Sequence, residues 1–393
     1  MALWHTYYKI RSIDQIKILH LIMKAAIATG IEDIDQYIHV QDDWPQPTLA
    51  NALDGKTGRQ IKPAEWMIVK VLACALAPGD CRLFKGRTDI IQLPKSGRSY
   101  IIGSDAAGVV VEVAPEETYF QVGDRIIARF DEPQPHGMCA EYACVKTSLS
   151  EKCPKSILAT AACTLPASAA AARLIVDQHI HENDRVLVLG ASGGVGTFLC
   201  QYIKNKQQQG NTATGFLAAT TTQKELATSL GVDRVIDYRS ENWWALETEF
   251  QDIPFDVVVD LVNGTNWQQG ACSGTKVLKR KALYLQLLTG VETEIDMRFG
   301  YIGMVPFIMQ LVVRTIYSKL HPSCPRYVSP QGLDLKSGDL KAILEDVVHK
   351  RIRVVLDPAG PFEFDTKSVR EAMTLQRSIH AHGKVVIEIA EDQ

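Results

Sequence analysis

The sequence contains no Cys-x-x-Cys pair, although it has nine cysteines. Zinc sites and redox-active disulfides commonly use that spacing, so the cysteines indicate neither. An odd number of widely separated cysteines, with no secretory signal before them, is typical of reduced thiols in an intracellular protein. We therefore predict a cytoplasmic location. The alternative is mitochondrial or plastid targeting through an N-terminal extension, residues 1–22, where Lys9, Arg11 and Lys17 stand against one acid, Asp14.

An excess of charge of one sign is also missing. The chain has 42 Lys and Arg residues and 45 Asp and Glu residues among 393, which gives a net charge of −3. Proteins that bind nucleic acid normally carry a clear basic excess. We therefore expect a small-molecule substrate and no nucleic acid partner.

No apolar run is long and continuous enough to cross a membrane. The longest apolar stretch, residues 301–320, is interrupted by Pro306, Gln310, Arg314 and Lys319, whereas a spanning helix needs roughly 18 or more apolar residues. We predict no transmembrane span. The density of Ile, Met, Val and Phe leaves three alternatives for residues 301–320: a wall of the substrate pocket, a subunit contact, or a peripheral contact with a lipid surface.

What the sequence does contain is an apolar run that ends in a glycine-rich turn and continues as an amphipathic segment. Residues 185–189 have the aliphatic character of a strand buried on both faces, and apolar residues recur at helical spacing after the turn. Glycines in such a turn allow a tight bend, close approach of a pyrophosphate and close packing of the helix, whose N-terminal amides bind the anion. The pattern predicts a dinucleotide site at Gly190, Ser192, Gly193, Gly194, Val195 and Gly196.

The choice of nucleotide follows from the end of the next predicted strand, residues 215–219, where no acidic residue stands. A site for NAD usually places Asp or Glu about 20 residues beyond the glycines to bind the ribose 2′-hydroxyl, whereas a 2′-phosphate needs hydroxyls and a cation. Thr220, Thr221 and Lys224 supply both. We therefore predict NADPH as the cofactor, with a polar loop of no binding role as the alternative.

Two more residues follow predicted strands of the same region. Tyr238 comes just after a strand at 234–236 and is expected beside the adenosine end of the nucleotide. Asn263 follows a strand at 255–260, and the carboxyl ends of parallel strands are where such sheets bind ligands. We expect Asn263 to border the nicotinamide.

The organisation of the chain predicts the fold class α/β. Short strands separated by turn residues run from Met23 to about Thr147, whereas strands and helices alternate from Asp184 to about Leu288. The alternation predicts a doubly wound parallel sheet of the Rossmann type, with helices on both faces. The earlier region predicts a β-rich barrel or sandwich, and a terminal strand is expected at residues 383–389.

Six motifs in order resemble the medium-chain dehydrogenase/reductase superfamily: residues 102–108 (Ile-Gly-Ser-Asp-Ala-Ala-Gly), 122–125 (Val-Gly-Asp-Arg), 140–142 (Ala-Glu-Tyr), 165–166 (Leu-Pro), the turn at 190–196, and 383–386 (Gly-Lys-Val-Val). The sequence is most similar to the zinc-free quinone oxidoreductase and enone reductase branch, which includes reticulon-interacting mitochondrial proteins and plastid quinone oxidoreductase homologues.

This resemblance implies a GroES-like catalytic domain at residues 23–160, completed by a return of the chain at 339–393. It implies a Rossmann domain at 161–338, a cofactor cleft between the two domains, and a homodimer. It also places Lys384 against the cofactor, the alternative being an exposed lysine at the end of a strand.

The resemblance further implies the chemistry. Zinc-dependent members take two ligands at positions that match Ala77 and Ser104, neither of which ligates zinc well, so we expect no metal. Without that Lewis acid, hydride transfer from NADPH to a quinone or an α,β-unsaturated carbonyl is the predicted reaction. Asp80 is the candidate catalytic residue, although a carboxylate beside Pro78-Gly79 also suits a turn cap.

The alternative function is a catalytically weak or inactive NADPH-binding interaction protein of the same fold. Ala77, Thr88 and Ala171 stand where related reductases carry polar groups close to the substrate. These departures permit loss of the acid/base chemistry with retention of the nucleotide site.

Overall fold

The computed structural model describes residues 22–30, 32–50, 52, 60–84, 99–130, 137–209, 215–287, 305–321, 323–329 and 339–392. The N-terminal extension at 1–22 lies outside this part of the chain except for Ile22, and Thr88 lies outside it too.

The strands are β1 (Ile22–Ala28), β2 (Ile38–Pro45), β3 (Trp66–Ala75), β4 (Tyr100–Ile101), β5 (Asp105–Val113), β6 (Arg125–Arg129), β7 (Tyr142–Lys146), β8 (Ser150–Lys152), β9 (Arg185–Leu189), β10 (Phe216–Thr220), β11 (Arg234–Ile236), β12 (Phe255–Asp260), β13 (Leu278–Gln286), β14 (Arg326–Val328) and β15 (Val386–Glu388). The α-helices are α1 (Ile34–Tyr37), α2 (Pro78–Phe84), α3 (Ala159–Ala162), α4 (Ala170–His179), α5 (Gly194–Gln208), α6 (Lys224–Ser229), α7 (Glu247–Phe250), α8 (Val305–Leu320), α9 (Asp339–Val348) and α10 (Thr366–Ser378).

The middle of the chain forms a parallel sheet in the order β11-β10-β9-β12-β13-β14. Numbered along the chain, this is the order 3-2-1-4-5-6 of a dinucleotide-binding sheet. Strand β9 lies at its centre because Val186–Leu189 pair with β10 on one side and β12 on the other. The glycine turn therefore begins where the strand order reverses, and the Rossmann prediction is confirmed.

The β-rich part consists of antiparallel strands drawn from both ends of the chain. One sheet has the order β15-β3-β5-β6-β8, with β7 also paired to β3, and a smaller sheet has the order β2-β1-β4. The last strand joins this part because Val386 pairs with Ala75 of β3. The GroES-like architecture is thereby confirmed, whereas the domain boundaries at 23–160, 161–338 and 339–393 stay predictions.

One helical segment in the described part of the chain, residues 159–179, is long and apolar enough to cross a membrane. It is interrupted by a π-helical turn at Leu165–Ala169. Within its most apolar window, 72% is buried inside the protein, as in the core helix of a globular domain. The predicted apolar stretch at 301–320 forms α8, a helix of 16 residues, and residues 301–304 lie outside the described residues.

Candidate active site

The glycine turn connects β9 to α5 through a backbone conformation that favours glycine. Gly190 has a φ of +88°, and its N–H donates to the backbone oxygen of Thr220 at 3.2 Å. A Cβ on Gly196 would lie 2.2 Å from the Gly190 oxygen and 2.7 Å from the Ala191 oxygen. Glycine is therefore required at 190 for its backbone angle and at 196 for the close packing of α5 on the turn.

The N-terminus of α5 is open to an anion. Gly193 is the N-cap and has no side chain to bond the first amides of the helix. An added Cβ there would find its nearest atom, the Gly190 oxygen, at 3.6 Å. Val195, in the first turn, is half-buried. Uncapped amides at a helix N-terminus suit a pyrophosphate, so the arrangement fits a dinucleotide, although contact through these residues stays a prediction.

Both threonines at the end of β10 are bonded to the glycine turn. The Thr220 hydroxyl accepts from the Gly190 N–H at 3.1 Å, and the Thr221 hydroxyl donates to the Ser192 hydroxyl at 2.9 Å. Thr220 is 6% exposed and Thr221 is 1% exposed. Their hydroxyls hold the turn against the second strand, and a direct contact with a 2′-phosphate stays a prediction.

Lys224 and Tyr238 lie at the same edge of the sheet as this turn. Lys224 is exposed at the first position of α6 and forms no ion pair with any residue that the structure describes. Tyr238 is 52% exposed and follows β11, whose Ile236 oxygen accepts from the Thr221 N–H at 3.0 Å. Exposed side chains here are free to meet a nucleotide ribose, and both assignments stay predictions.

Residues near the C-terminus complete the turn, which local sequence patterns did not reveal. The Gly383 N–H donates to the Ser192 oxygen at 2.8 Å, and Gly383 has a φ of +100°. The His382 Nε2 lies 3.1 Å from the Gln223 side-chain nitrogen, beside Lys224. Only the motif at 383–386 signalled this contact, through the family resemblance.

Lys384 is buried and connects the glycine turn to the β-rich part. Its side chain is against Gly194, where an added Cβ would lie 2.8 Å from the lysine Cδ. Its Nζ donates to the Leu76 oxygen at 2.9 Å and lies 4.0 Å from the Asp105 Oδ2. Because Lys384 is 4% exposed, the alternative of an exposed strand-end lysine is wrong.

Two buried carboxyl groups lie close to Lys384. Asp80 accepts from the Ala77 N–H at 2.8 Å and the Gly103 N–H at 3.1 Å, so it caps the turn at the start of α2 and bonds that turn to the segment between β4 and β5. Burial raises the pKa of Asp80 to about 6, against the lowering effect of these amides. Burial raises the pKa of Asp105 to about 7, against the nearby Lys384 ammonium. Asp105, which belongs to the motif at 102–108 but was not among the predicted site residues, has no hydrogen-bond partner for Oδ2 among the described residues.

The residues at the expected zinc position do not fit a zinc ion. Ala77 offers no ligating side chain, and the Ser104 hydroxyl lies 3.5 Å from the Asp80 carboxylate. Within the described residues, no group of three or more His, Cys, Asp or Glu side chains is placed to hold a metal. No chemical step of this site is therefore derived through zinc.

Asn263 is 3% exposed and occupies a left-handed backbone conformation with a φ of +73°. Its N–H donates to the Asp260 Oδ1 at 2.8 Å. Its side-chain oxygen accepts from Gln286 and from Arg314, the latter at 3.3 Å. The side chain is thus held at the carboxyl ends of β12 and β13, as expected for a residue at the ligand edge, and contact with a nicotinamide stays a prediction.

Buried polar groups surround Asn263. The Tyr284 hydroxyl donates to the Asp260 Oδ2 at 2.5 Å, and burial together with that carboxylate raises the pKa of Tyr284 well above its usual range. A tyrosine bonded in this way is a structural support rather than a proton donor. Arg314 reaches this cluster from α8, and nothing in its apolar sequence context indicated that role.

Two family models match the chain, namely the alcohol dehydrogenase GroES-like domain over residues 63–185 and zinc-binding dehydrogenase over residues 230–387. The fold and the glycine turn define a two-domain dinucleotide-binding protein.

Comparison with named proteins shows which members of this class the chain is similar to. The chain is 30% identical to the NADPH-dependent alkenal/one oxidoreductase, chloroplastic, of Arabidopsis thaliana, over 82% of this chain and 71% of that protein. It is also 30% identical to the human NAD(P)H oxidoreductase RTN4IP1, mitochondrial, over 82% and 81%. The quinone oxidoreductase from Coxiella burnetii has a similar structure, with a TM-score of 0.70 at 19% identity over 94% and 99% of the two chains. The chain belongs to the medium-chain dehydrogenase/reductase superfamily, in agreement with the prediction.

Proposed function

We propose that this protein is a zinc-independent oxidoreductase that transfers a hydride from NADPH to a quinone or an α,β-unsaturated carbonyl. The observation that carries the proposal is the junction at Lys384, where one side chain lies against Gly194 of the nucleotide turn and reaches Asp105 of the β-rich part. When bound, NADPH supplies the hydride. The names of the two relatives above support a nicotinamide cofactor and an acceptor of this class.

The chain's own residues would bind and orient the reactants. Amides at the N-terminus of α5 would hold the pyrophosphate, and Lys224 would hold the 2′-phosphate. The buried Lys384 ammonium places fixed positive charge at the domain junction, which stabilises an oxyanion on a reduced acceptor. Burial raises the pKa of Asp105 to about 7, so this carboxyl beside the ammonium would be able to take up or release a proton near neutral pH.

An acceptor screen tests this function. Purified protein is mixed with NADPH or NADH and a panel of small quinones and enones, and nucleotide oxidation is followed by absorbance. We expect acceptor-dependent oxidation of NADPH. Tight NADPH binding with no acceptor-dependent consumption would instead establish the non-catalytic interaction protein.

The preference for NADPH is tested by Lys224→Glu. A carboxylate repels the 2′-phosphate but accepts a bond from a free 2′-hydroxyl. Because hydrogen bonds to charged groups contribute about 1.5–3 kcal/mol, we expect the affinity for NADPH to fall about tenfold or more, with that for NADH nearly unchanged. Lys276→Glu, which reverses another exposed lysine, is the charge-matched control. Equal losses for both nucleotides in Lys224→Glu would contradict the assignment.

Location and assembly are proposed from the relatives and from the resemblance. The relatives named above are chloroplastic and mitochondrial proteins, which favours organellar targeting over the cytoplasmic prediction. A homodimer is proposed from the resemblance. Organelle fractionation and sedimentation velocity test these two points.

A further inference from the structure

Within the part of the chain that the structure describes, helix α8 has an exposed apolar face with no packing partner. Its exposed large side chains have exposures between 43% and 77%, and they are Val305, Ile308, Met309, Val312, Val313, Ile316, Tyr317 and Leu320. Spacings of three and four residues place them on one side of the helix. Single exposed apolar residues are ordinary, but a contiguous apolar patch marks an interaction surface. We call this set the α8 stripe.

The opposite side of α8 is fixed to the sheet, so the stripe stays outward. Arg314 is 3% exposed and bonds the side-chain oxygens of Gln286 and Asn263. Its guanidinium carbon lies 6.0 Å from the centre of the Tyr327 ring. Leu311 packs on the core beneath the helix. Rotation of the helix to bury the stripe would break these contacts.

Among the described residues, exposed basic side chains lie toward the C-terminal end of the stripe. Residues 297–333 contain no Asp or Glu. Lys319 is exposed near the end of α8, and Arg326 is exposed on β14, the strand against which α8 packs. Arg280 and Lys281 are exposed on the adjacent strand β13, three and two residues before Leu283, which pairs with Arg326. We call Lys319, Arg326, Arg280 and Lys281 the basic rim. An apolar stripe beside this rim is complementary to anionic lipid headgroups. Stripe-to-stripe docking of a second copy would bring the two rims together, so a homodimer would have to form through another surface.

We propose that the α8 stripe docks on a membrane surface that carries anionic lipids, with the helix lying in the plane of the headgroups. What the docking implies for the acceptor rests on the proposed function. Arg314 joins the docked helix directly to Asn263, so docking holds the ligand edge of the sheet one helix away from the bilayer. The acceptor class is then an apolar quinone or enone that partitions into lipid.

Vesicle co-sedimentation of the full chain tests the docking. The probes are vesicles of phosphatidylcholine alone and of phosphatidylcholine mixed with phosphatidylglycerol. We expect the wild type to bind the anionic vesicles and to bind the neutral vesicles weakly. The Val313→Asp/Ile316→Asp double variant places two charges in the stripe and is expected to lose about tenfold or more of this binding. Ile253→Asp is the control, since Ile253 is 57% exposed but lies outside α8.

A second variant tests the basic rim. Lys319→Glu/Arg326→Glu leaves the apolar residues in place, so we expect binding to anionic vesicles to weaken severalfold, with little change for neutral vesicles. An unchanged response to anionic lipid in this variant would contradict the charge argument.

Two outcomes would overturn the docking. In the first, the wild type binds neither kind of vesicle. In the second, the wild type is a dimer, and Val313→Asp/Ile316→Asp converts it to monomers without any effect on lipid binding. The affinity for NADPH and the turnover of a water-soluble acceptor should be the same in this variant as in the wild type, which separates docking from folding. Vesicle binding without any turnover would support the docking and refute the proposed function.

Discussion

Gly196 is the residue on which the packing of the nucleotide turn most directly depends. A Cβ at this position would meet two backbone oxygens, the nearer at 2.2 Å, and backbone atoms cannot move aside without displacing the turn. We expect Gly196→Ala to lower the free energy of unfolding by about 1–3 kcal/mol and to weaken nucleotide binding, as measured by urea unfolding and by fluorescence titration.

Gly193→Ala is the matched comparison for that prediction. Its Cβ would lie 3.6 Å from the backbone oxygen of Gly190, an ordinary contact, but it would stand at the N-terminus of α5 where the pyrophosphate is expected. Stability should change by less than about 0.5 kcal/mol, whereas nucleotide affinity should fall about tenfold. Equal stability losses in the two variants would contradict the different roles of the two glycines.

Asp105 gives the protein a stability that depends on pH. Its pKa is about 7 in the folded protein and about 3.9 in an unfolded chain, so across this window the folded state holds a proton that the unfolded state has released. The contribution of this group to stability therefore falls as pH rises, by up to about 1.4 kcal/mol per pH unit. We expect Asp105→Asn to remove this part of the slope in urea unfolding measured from pH 4 to pH 8. The exposed Glu225→Gln should leave the slope unchanged, and an unaltered slope in Asp105→Asn would refute the prediction.

Elements with a clear apolar pattern were predictable, and elements with polar ends were not. The predicted strands at 185–189, 234–236 and 255–260 have the observed bounds, because each is an apolar run bordered by polar residues or turns. The apolar run predicts a fifth strand of the parallel sheet at 281–287, whereas β13 covers Leu278–Gln286, because the charged Lys279 and Arg280 obscure its start in the sequence. The terminal strand covers 386–388 rather than 383–389, because Gly383 and Lys384 are taken up by the nucleotide turn.

Helix α8 depends on Arg314 for its attachment to the sheet. Arg314→Met keeps the length of the side chain but removes the donor to Gln286 and Asn263. Because buried acceptors without a partner cost about 1–3 kcal/mol, we expect a loss of that size in the free energy of unfolding. Lys319→Met, at an exposed position of the same helix, should change stability by less than about 0.5 kcal/mol. Equal effects of the two substitutions would show that Arg314 does not anchor the helix.

Across the whole molecule, the site is assembled from positions far apart in the chain. The contact between Ser192 and Gly383 and that between Leu76 and Lys384 are tertiary contacts, which periodicity and turn chemistry do not specify. The glycine turn could be found from its local pattern because strand, turn and helix are consecutive. Asp105, His382 and Arg314 could not, since each acquires its surroundings only after folding.

These same contacts couple the two parts of the molecule. A ligand at about 100 times its dissociation constant stabilises the folded state by about 2.7 kcal/mol. Gly383 bonds the parallel-sheet part and Lys384 bonds the β-rich part. We therefore expect a single thermal unfolding transition whose midpoint temperature rises with saturating NADPH. Tryptophan fluorescence and far-ultraviolet circular dichroism should report the same midpoint. Two transitions, of which only one moves, would show that the parts unfold independently. Gly193→Ala should keep the single transition with a smaller shift.

The pairing of β15 with β3 sets an order for folding during synthesis. A ribosome releases the residues of the parallel sheet before it releases Val386, so the middle of the chain can become structured while the first antiparallel sheet still lacks a strand. Until then Ala73–Ala75 present an unpaired edge, and such edges are prone to aggregation. Release of residues 386–388 therefore decides when this edge of β3 stops needing protection by chaperones.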